Sequence, residues 1–449
     1  MIIFTHHSGE SHGILGAQVA ATFLHRKLSI HSIVVGIERN FSKEQLLRFI
    51  GEHYEKQEKI AAFSHLCGRA DLIDLAREMK EDGFTTVLGG PQARQDYSGE
   101  PDTDSFPHRF KGLNSIVDVA FQGPVDSLIL EDLGGKRRLL DYPWTRDISL
   151  EVDWSNLYTF SEGLRHVDVR LGQVLSTIGC AYACKRQTIV LPVPVNLQER
   201  GDVPELEVKS QGCIFCDVSR DKGYHGTVET EKLILQMAAL PEVDGRKIPF
   251  ELIDEYPIRS LGKLIEEAER HGIELSQINL VCRVDDINAH SADLEEALSL
   301  AQRRDIKVMF ASIGFESFSD RLLRYLCKGI TVAENVRCVE TLRRMKDRFG
   351  SHLLYRRDEG ANHGFIRPTP WDDGETMREM DRTIFLHRLF EDILPDHSTP
   401  LIIHHASYLG DWIRQIESTT GTTFGRVGTW IEWWNPLPQG ERRMPAEGR

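Results

Sequence analysis

The sequence predicts an α/β chain of two successive units, a doubly wound parallel sheet over residues 1–140 and most of a parallel βα barrel over residues 171–405. Three observations predict it. The 449 residues exceed what one ordinary core organises, so more than one domain is required. Short apolar runs alternate with helix-length amphipathic ones up to about residue 135, and a second alternating series, of six βα units, begins at Leu171.

In the first unit, segments 2–5, 33–37, 60–65, 85–89 and 118–122 read as strands, each brief, mostly apolar and closed by glycine, proline or polar residues. Residues 71–80 place Leu72, Ile73, Leu75, Ala76 and Met79 on one stripe, the period a helix needs to cover a sheet. Ligands of parallel sheets sit beyond the carboxyl ends of the strands. The turns Gly89-Gly-Pro-Gln-Ala and Gln122-Gly-Pro-Val-Asp fall there, and a cofactor is expected at them. Residues 141–170, polar and irregular after Gly134-Gly-Lys-Arg-Arg, read as a linker.

The second unit offers strands at 171–177, 250–254, 278–283, 308–314, 364–367 and 401–404. Helices are expected between them at 261–271, 294–303, 319–327, 332–346 and 375–390. In parallel barrels the chemistry gathers at the carboxyl ends of the strands. Residues 406–449 form a C-terminal extension, and no fixed-period repeat is present.

Composition narrows the partners. With 41% hydrophobic and 27% charged residues the chain is globular, and its net charge of −14 argues against nucleic acid or an anionic membrane surface. No uncharged apolar run reaches the roughly 18 residues of a membrane span, and the N-terminus lacks a signal-peptide pattern, so a cytoplasmic location is expected.

Of eight cysteines, four cluster between positions 180 and 216, the others being Cys67, Cys282, Cys327 and Cys338. In a reducing compartment such a cluster points to a metal or redox site rather than disulfides. A Cys-x3-Cys loop (Cys180, Cys184) followed by a Cys-x2-Cys turn (Cys213, Cys216) lets thiolates converge on one centre, as zinc and iron-sulfur clusters both require. Delivery of that loop by the first barrel strand favours the catalytic reading over a structural zinc knuckle.

These residues carry a resemblance. Gly179-Cys-Ala-Tyr-Ala-Cys resembles the opening, and Gly212-Cys-Ile-Phe-Cys-Asp-Val the close, of the CxxxCxxC loop of radical S-adenosylmethionine enzymes. Phe250-Glu-Leu-Ile-Asp-Glu-Tyr, Val281-Cys-Arg-Val-Asp-Asp, Ile313-Gly-Phe-Glu-Ser-Phe and His363-Gly-Phe-Ile-Arg-Pro are similar to that family's second to fifth strands, so the likeness runs in order over residues 171–400. Leu88-Gly-Gly-Pro-Gln-Ala and Phe121-Gln-Gly-Pro-Val-Asp are similar to the cobalamin-binding domain that precedes the barrel in one branch of the family. The Asp-x-His-x-x-Gly motif of many cobalamin enzymes is missing; Glu10-Ser-His-Gly comes near it, with Leu15 where the glycine belongs.

The resemblance implies a flavodoxin-like (Rossmann-like) cobalamin domain, a partial (β/α)6 barrel, a 4Fe-4S cluster, S-adenosylmethionine and cobalamin as cofactors, and a flavodoxin- or ferredoxin-type electron donor. Gly89, Gly90 and Gly123 would face the corrinoid. One departure is plain: Lys185 to Gln187 stand where the third cysteine is expected, as though residues 185–212 were inserted. Segments 188–193 and 206–209 alternate like a β-hairpin with a polar turn at 198–202, a possible lid. Cys184 and Cys213 both have a claim to the second cysteine position, Cys180 and Cys216 to the first and third; Cys180, Cys184 and Cys216 is the set chosen, leaving one iron open for S-adenosylmethionine. Phe215 would neighbour the adenine, Glu255 receive the ammonium, and Arg283 with Asp285 meet the carboxylate or ribose; Glu316 and Ser317 close the fourth strand.

The activity implied is reductive cleavage of S-adenosylmethionine to a 5'-deoxyadenosyl radical. C-methylation of an unactivated carbon in a small-molecule or peptide substrate leads, ahead of cyclisation or rearrangement. Methylthio transfer to tRNA would need three cluster cysteines in the first domain, where only Cys67 stands, and a zinc- or cobalamin-dependent sensor is the non-enzymatic alternative. The pairs His6-His7 and His404-His405 read as structural, because neighbours on a strand face opposite ways. Trp430, Ile431, Trp433 and Trp434 read as core or pocket lining.

Overall fold

Parallel pairing of buried apolar strands organises both halves of the chain in the computed structural model, which describes residues 1–64, 66, 69–134, 138–194, 204–394 and 398–437. The first sheet contains β1 (Ile2–His6), β2 (Ile33–Ile37), β3 (Ile60–Ser64), β4 (Thr85–Gly89), β5 (Val119–Gln122), β6 (Arg138–Asp141), β7 (Leu157–Phe160) and β8 (Leu164–His166). Their spatial order is β6-β5-β4-β3-β1-β2-β7-β8. The run β2-β1-β3-β4-β5 is the 2-1-3-4-5 order of flavodoxin-like sheets. The segment expected to be a linker instead extends this sheet: β7 pairs parallel with β2, and β8 folds back antiparallel on β7. Its apolar residues Leu157 and Phe160 gain full burial by joining that edge.

Helices α1 (Leu15–Leu28), α2 (Lys43–His53), α3 (Ala70–Glu81) and α4 (Ala93–Ser98) connect the strands. All five stripe residues of α3 are buried, as the spacing requires. Alternation along β1 divides its side chains between two cores. Ile2 and Phe4 join the α2 and α3 side, whereas Met1 and Ile3 join a core that continues without a break into the second unit through Val174, Phe250 and Ile278.

That second unit is an open parallel sheet. β9 (Gly172–Leu175) is followed by strands Phe250–Ile253, Gln277–Arg283 and Lys307–Glu316, each pairing with the next. The long strand Lys307–Glu316 then pairs with Leu353–Leu354 along its start and with Gly364–Phe365 along its end. The strand expected at 401–404 does not complete the barrel. Ile403–His404 pairs antiparallel with Trp430–Leu437, which also pairs with Thr423–Val427. An apolar run accepts a partner of either direction, and here the C-terminal segment supplies the nearer one. The helix expected at 375–390 ends at Leu386, where Arg388 turns into the left-handed region.

Between Cys184 and Cys213 the chain forms the expected hairpin, Arg186–Pro192 against Glu205–Gln211, registered from Arg186 opposite Gln211 to Pro192 opposite Glu205. Its polar turn at 198–202 lies outside the described residues, as does Cys67. Leu191, Val193 and Val208 are buried in the main core and Trp371 Nε1 donates to Pro192 O at 3.2 Å, so the hairpin stem is packed against the barrel.

Candidate functional site

Strand ends of the second sheet build the site. After β9 the chain turns at Gly179, whose φ of +75° suits only glycine and whose Cβ would strike Tyr224 O at 2.0 Å. The turn delivers Cys180, then a short 3-10 turn, Tyr182–Cys184. Across the hairpin base, where Gly212 N–H donates to Lys185 O at 2.9 Å, Cys213 and Cys216 close a second turn with Cys216 N–H donating to Cys213 O at 3.1 Å.

These four cysteines do not face the same way. Cys213 is buried and accepts from Arg283 Nη1 at 3.4 Å. Cys216 and Cys180 are half-buried, and both thiols lie within the field of the Glu255 carboxyl group. Burial pushes the Cys216 thiol up to about 12, helped by Cys213, Asp217 and Glu255, and it also raises Cys180, against the pull of Arg283. Cys184 is exposed, its Sγ 3.8 Å from Cys180 O. Cys180 and Cys216 thus lie in the field of Glu255, Cys213 touches Arg283, and Cys184 is exposed at the hairpin base.

Arg283 is buried and fully engaged. Its Nε donates to Asp285 Oδ1 at 2.8 Å, Nη1 to Cys213, and Nη2 to Lys328 O at 2.7 Å, while the guanidinium stacks 4.0 Å from the Tyr182 ring. Burial disfavours its charge, but the thiol of Cys213 and the carboxylate of Asp285 outweigh that and hold the cation firmly. Arg283 and Asp285 therefore position Cys213 and Tyr182 instead of offering a free fork to a carboxylate. Tyr256 Oη completes the group, 3.3 Å from Asp285 Oδ2.

Glu255 differs from its neighbours: among the described residues no hydrogen bond or ion pair reaches its carboxylate. Burial raises its pKa, Lys328 and Arg283 oppose the rise, and Asp254 and Glu316 add to it. Asp254 is satisfied by Ser176 and Thr177, whose hydroxyls donate at 2.9 and 2.7 Å. Glu316 is paired with buried Lys328 at 2.8 Å and sits at φ +59°. Such strain in a non-glycine residue persists only where surroundings enforce it, and a Cβ on Gly364 would come within 2.9 Å of Glu316 Oε2. Ser317 is fully buried, its hydroxyl contacting Met380 Sδ at 3.4 Å and accepting from Ser319 N–H. Phe215 is half-buried against the core beside the last cysteine.

The loops after β4 and β5 abut this centre through the segment following Cys216. Gln92 N–H donates to Asp221 Oδ1 at 3.2 Å, Gln92 Nε2 to Asp217 Oδ2, and Gln122 Nε2 to Asp221 O at 2.6 Å. Gly90 takes a φ of +92°. Gly123 is required by the chain itself, since a Cβ there would meet Tyr142 O at 2.5 Å; a Cβ on Gly89 would meet nothing within 4 Å. Of Gly89 and Gly123, Gly89 is the one that borders open space.

The donor chemistry fits the groups named by the sequence. Thiols carried on two neighbouring turns at strand ends suit an iron-sulfur cluster whose binding displaces their protons. An unpartnered carboxylate suits an ammonium group. Room at Gly89, next to a left-handed Gly90, suits close approach of a large flat ligand to the backbone. Sequence reasoning gave no role to Tyr182, although it stands within the Gly179–Cys184 motif, or to Lys328, and only the fold places them on Arg283 and Glu316.

A flavodoxin-like sheet followed by an open βα barrel with a cysteine loop on its first strand defines an architecture shared with solved enzymes. It is that of the cobalamin-dependent S-adenosylmethionine radical enzyme OxsB, whose structures with aqua-cobalamin and S-adenosylmethionine bound, with aqua-cobalamin bound, and in apo form each match at TM-score 0.56 and 10% identity. The match covers 96% of this chain and 63% of the OxsB chain, so this chain spans less than two thirds of that enzyme. No family model and no curated protein matches the sequence. No helix among the described residues is long and apolar enough to cross a membrane.

Proposed function

We propose that the chain is a radical S-adenosylmethionine enzyme working with a corrinoid, and that Cys180, Cys213 and Cys216 hold its 4Fe-4S cluster. The placement of Cys180 and Cys216 in the field of Glu255, with Cys213 held by Arg283, at the carboxyl ends of parallel strands is the observation that supports the reading. This reading takes Cys213, rather than Cys184, as the second ligand. When bound, the cluster and S-adenosylmethionine supply the electron and the sulfonium from which a carbon-centred oxidant is made. The residues of this chain do the rest. Glu255 binds the amino group of S-adenosylmethionine, Arg283 fixes Cys213 through Nη1, and Tyr182 and Tyr256 cover the guanidinium and exclude water. The Gly89-Gly90 turn would hold the corrinoid facing the barrel.

Transfer of a methyl group to an unactivated carbon of a small molecule or peptide is the reaction this order of domains supports best. The test is anaerobic reconstitution with a chemical or flavodoxin-type reductant, followed by assay for 5'-deoxyadenosine and S-adenosylhomocysteine. Both products together support methylation. 5'-Deoxyadenosine without S-adenosylhomocysteine replaces it with a cyclisation or rearrangement, and zinc without acid-labile sulfide overturns the radical reading altogether.

A further inference from the structure

Away from the cysteines, three groups remote in sequence meet in a dry seam. Asp96 lies on α4, His404 ends the strand Ile403–His404, and His405 opens the turn that follows. Their side chains are 3–5% exposed. The chain turns immediately after His404, with Ser407 N–H donating to His404 O at 3.0 Å, so strand alternation stops and both imidazoles face one way. Their ring centroids are 4.6 Å apart. Asp96 Oδ1 lies 2.9 Å from His405 Nε2 and 3.2 Å from His404 Nε2. One ligating atom from each residue falls within 4.8 Å of the others.

Several features favour a cation over a simple hydrogen-bonded triad. Arms of about 2.0–2.1 Å to nitrogen and oxygen ligands set neighbouring donors about 3.3 Å apart around a tetrahedral zinc, close to the spacing found. Asp217 Oδ2 stands 3.6 Å from the other nitrogen of His404, the placement of a carboxylate that orients a ligating histidine. Its second oxygen, Oδ1, is buried with no hydrogen-bond partner among the described residues, as is Oε1 of Gln92 beside it. A buried and a half-buried carboxylate thus share this seam with two imidazoles. The nearby cations are committed elsewhere: Arg220 pairs with Asp411, and Arg414 with Glu100 and Asp411. A divalent ion would balance the charge that these residues leave.

We propose that Asp96, His404 and His405 bind a divalent transition-metal ion of the zinc class, with Asp217 orienting His404 from behind. In the bound form Nδ1–H of His404 turns to Asp217, giving up the 3.1 Å contact with Ala406 N–H. The ion would pin α4 of the first sheet, the segment after Cys216 and the C-terminal sheet to one another. Its nitrogen and oxygen donors distinguish it from the thiolate centre, and it stands whether or not the cysteines hold iron.

The test uses full-length protein with its cysteine site reconstituted with iron and sulfide, titrated with Co2+ or Zn2+ and desalted. One equivalent of metal is expected to be retained, with ligand-field bands for Co2+ and no thiolate-to-metal charge transfer. Asp96→Asn and His405→Asn should each lower affinity at least tenfold while iron and sulfide content stays unchanged. Failure of the wild type to retain metal, a thiolate charge-transfer band, or equal retention by both variants would overturn the assignment. Should a variant not fold, the cobalt spectrum of the wild type decides alone.

Discussion

Replacing Arg426 by methionine should loosen the attachment of the C-terminal sheet to the first unit, and the structure sets the size of the effect. Arg426 Nε and Nη2 each donate to Glu100 at 2.9 Å, and Nη1 donates to Glu417 Oε1 at 2.6 Å. Glu417 also accepts from Arg109 Nε at 3.2 Å and pairs with His108, while Arg414 reaches Glu100 at 3.0 Å. Both carboxylate side chains are 0% exposed, and that of Arg426 is 6% exposed. Removing one partner of a buried pair costs about 3–5 kcal/mol, because the abandoned charge stays buried. The ionisation of Glu100 gives an independent measure. Burial alone would raise its pKa, yet Arg426, Phe110 N–H and Arg414 pull it down to about 2 from an ordinary 4.5. That difference corresponds to about 3 kcal/mol. Because the folded pKa lies below the unfolded one, this stabilisation is complete above pH 4.5 and is lost as pH falls toward 2. Urea unfolding followed by the fluorescence of buried Trp412 and Trp371 should show an earlier transition for Arg426→Met, by about 1 M or more. The difference from wild type should shrink in acid. A loss under 1 kcal/mol at pH 7, or a gap that does not close in acid, would refute the reasoning.

Other outcomes follow from the same geometry. Cys213→Ala should abolish bound iron and sulfide after anaerobic reconstitution, whereas Cys184→Ala should retain both, as read by metal and acid-labile sulfide analysis. Glu255→Gln should weaken S-adenosylmethionine binding about 10- to 100-fold in equilibrium dialysis with the cluster intact, the worth of one charge-assisted hydrogen bond. Burial holds His363 neutral, its pKa down to about 4, with Nδ1 accepting from Ile313 N–H at 3.0 Å. Its contribution is complete above pH 6.5 and is lost as pH falls to 4, so His363→Gln should flatten the stability profile across that window. Gly410→Ala would place a Cβ 2.4 Å from His405 O, and should lower the thermal midpoint by an amount equivalent to about 1–3 kcal/mol.

The parallel strands and their covering helices were legible because buried parallel sheets write themselves as short apolar runs at regular spacing. β8 was not, since Leu164, Arg165 and His166 are all exposed at a sheet edge and carry no alternation. Ile403–His404 was read correctly as a strand and given the wrong partner, because its neighbour in space lies nearly thirty residues further along, at Trp430 and Ile431. The choice between Cys184 and Cys213 could not be made from spacing. Both stand at the foot of the hairpin; Cys213 is buried against Arg283 and Cys184 is exposed, a difference that spacing does not carry. The joining of Asp96 to His404 and His405 was equally invisible, for it depends on a turn that ends strand alternation between two adjacent residues.

The continuous core shared by Ile3, Val174 and Phe250 has a bearing on how the molecule can be taken apart. Cutting the polypeptide near residue 140 would leave β7 without its strand neighbour β2, and a cut there or near residue 170 would strip one face of the first sheet. Neither fragment would keep a complete interior. The two halves are therefore expected to unfold as one piece.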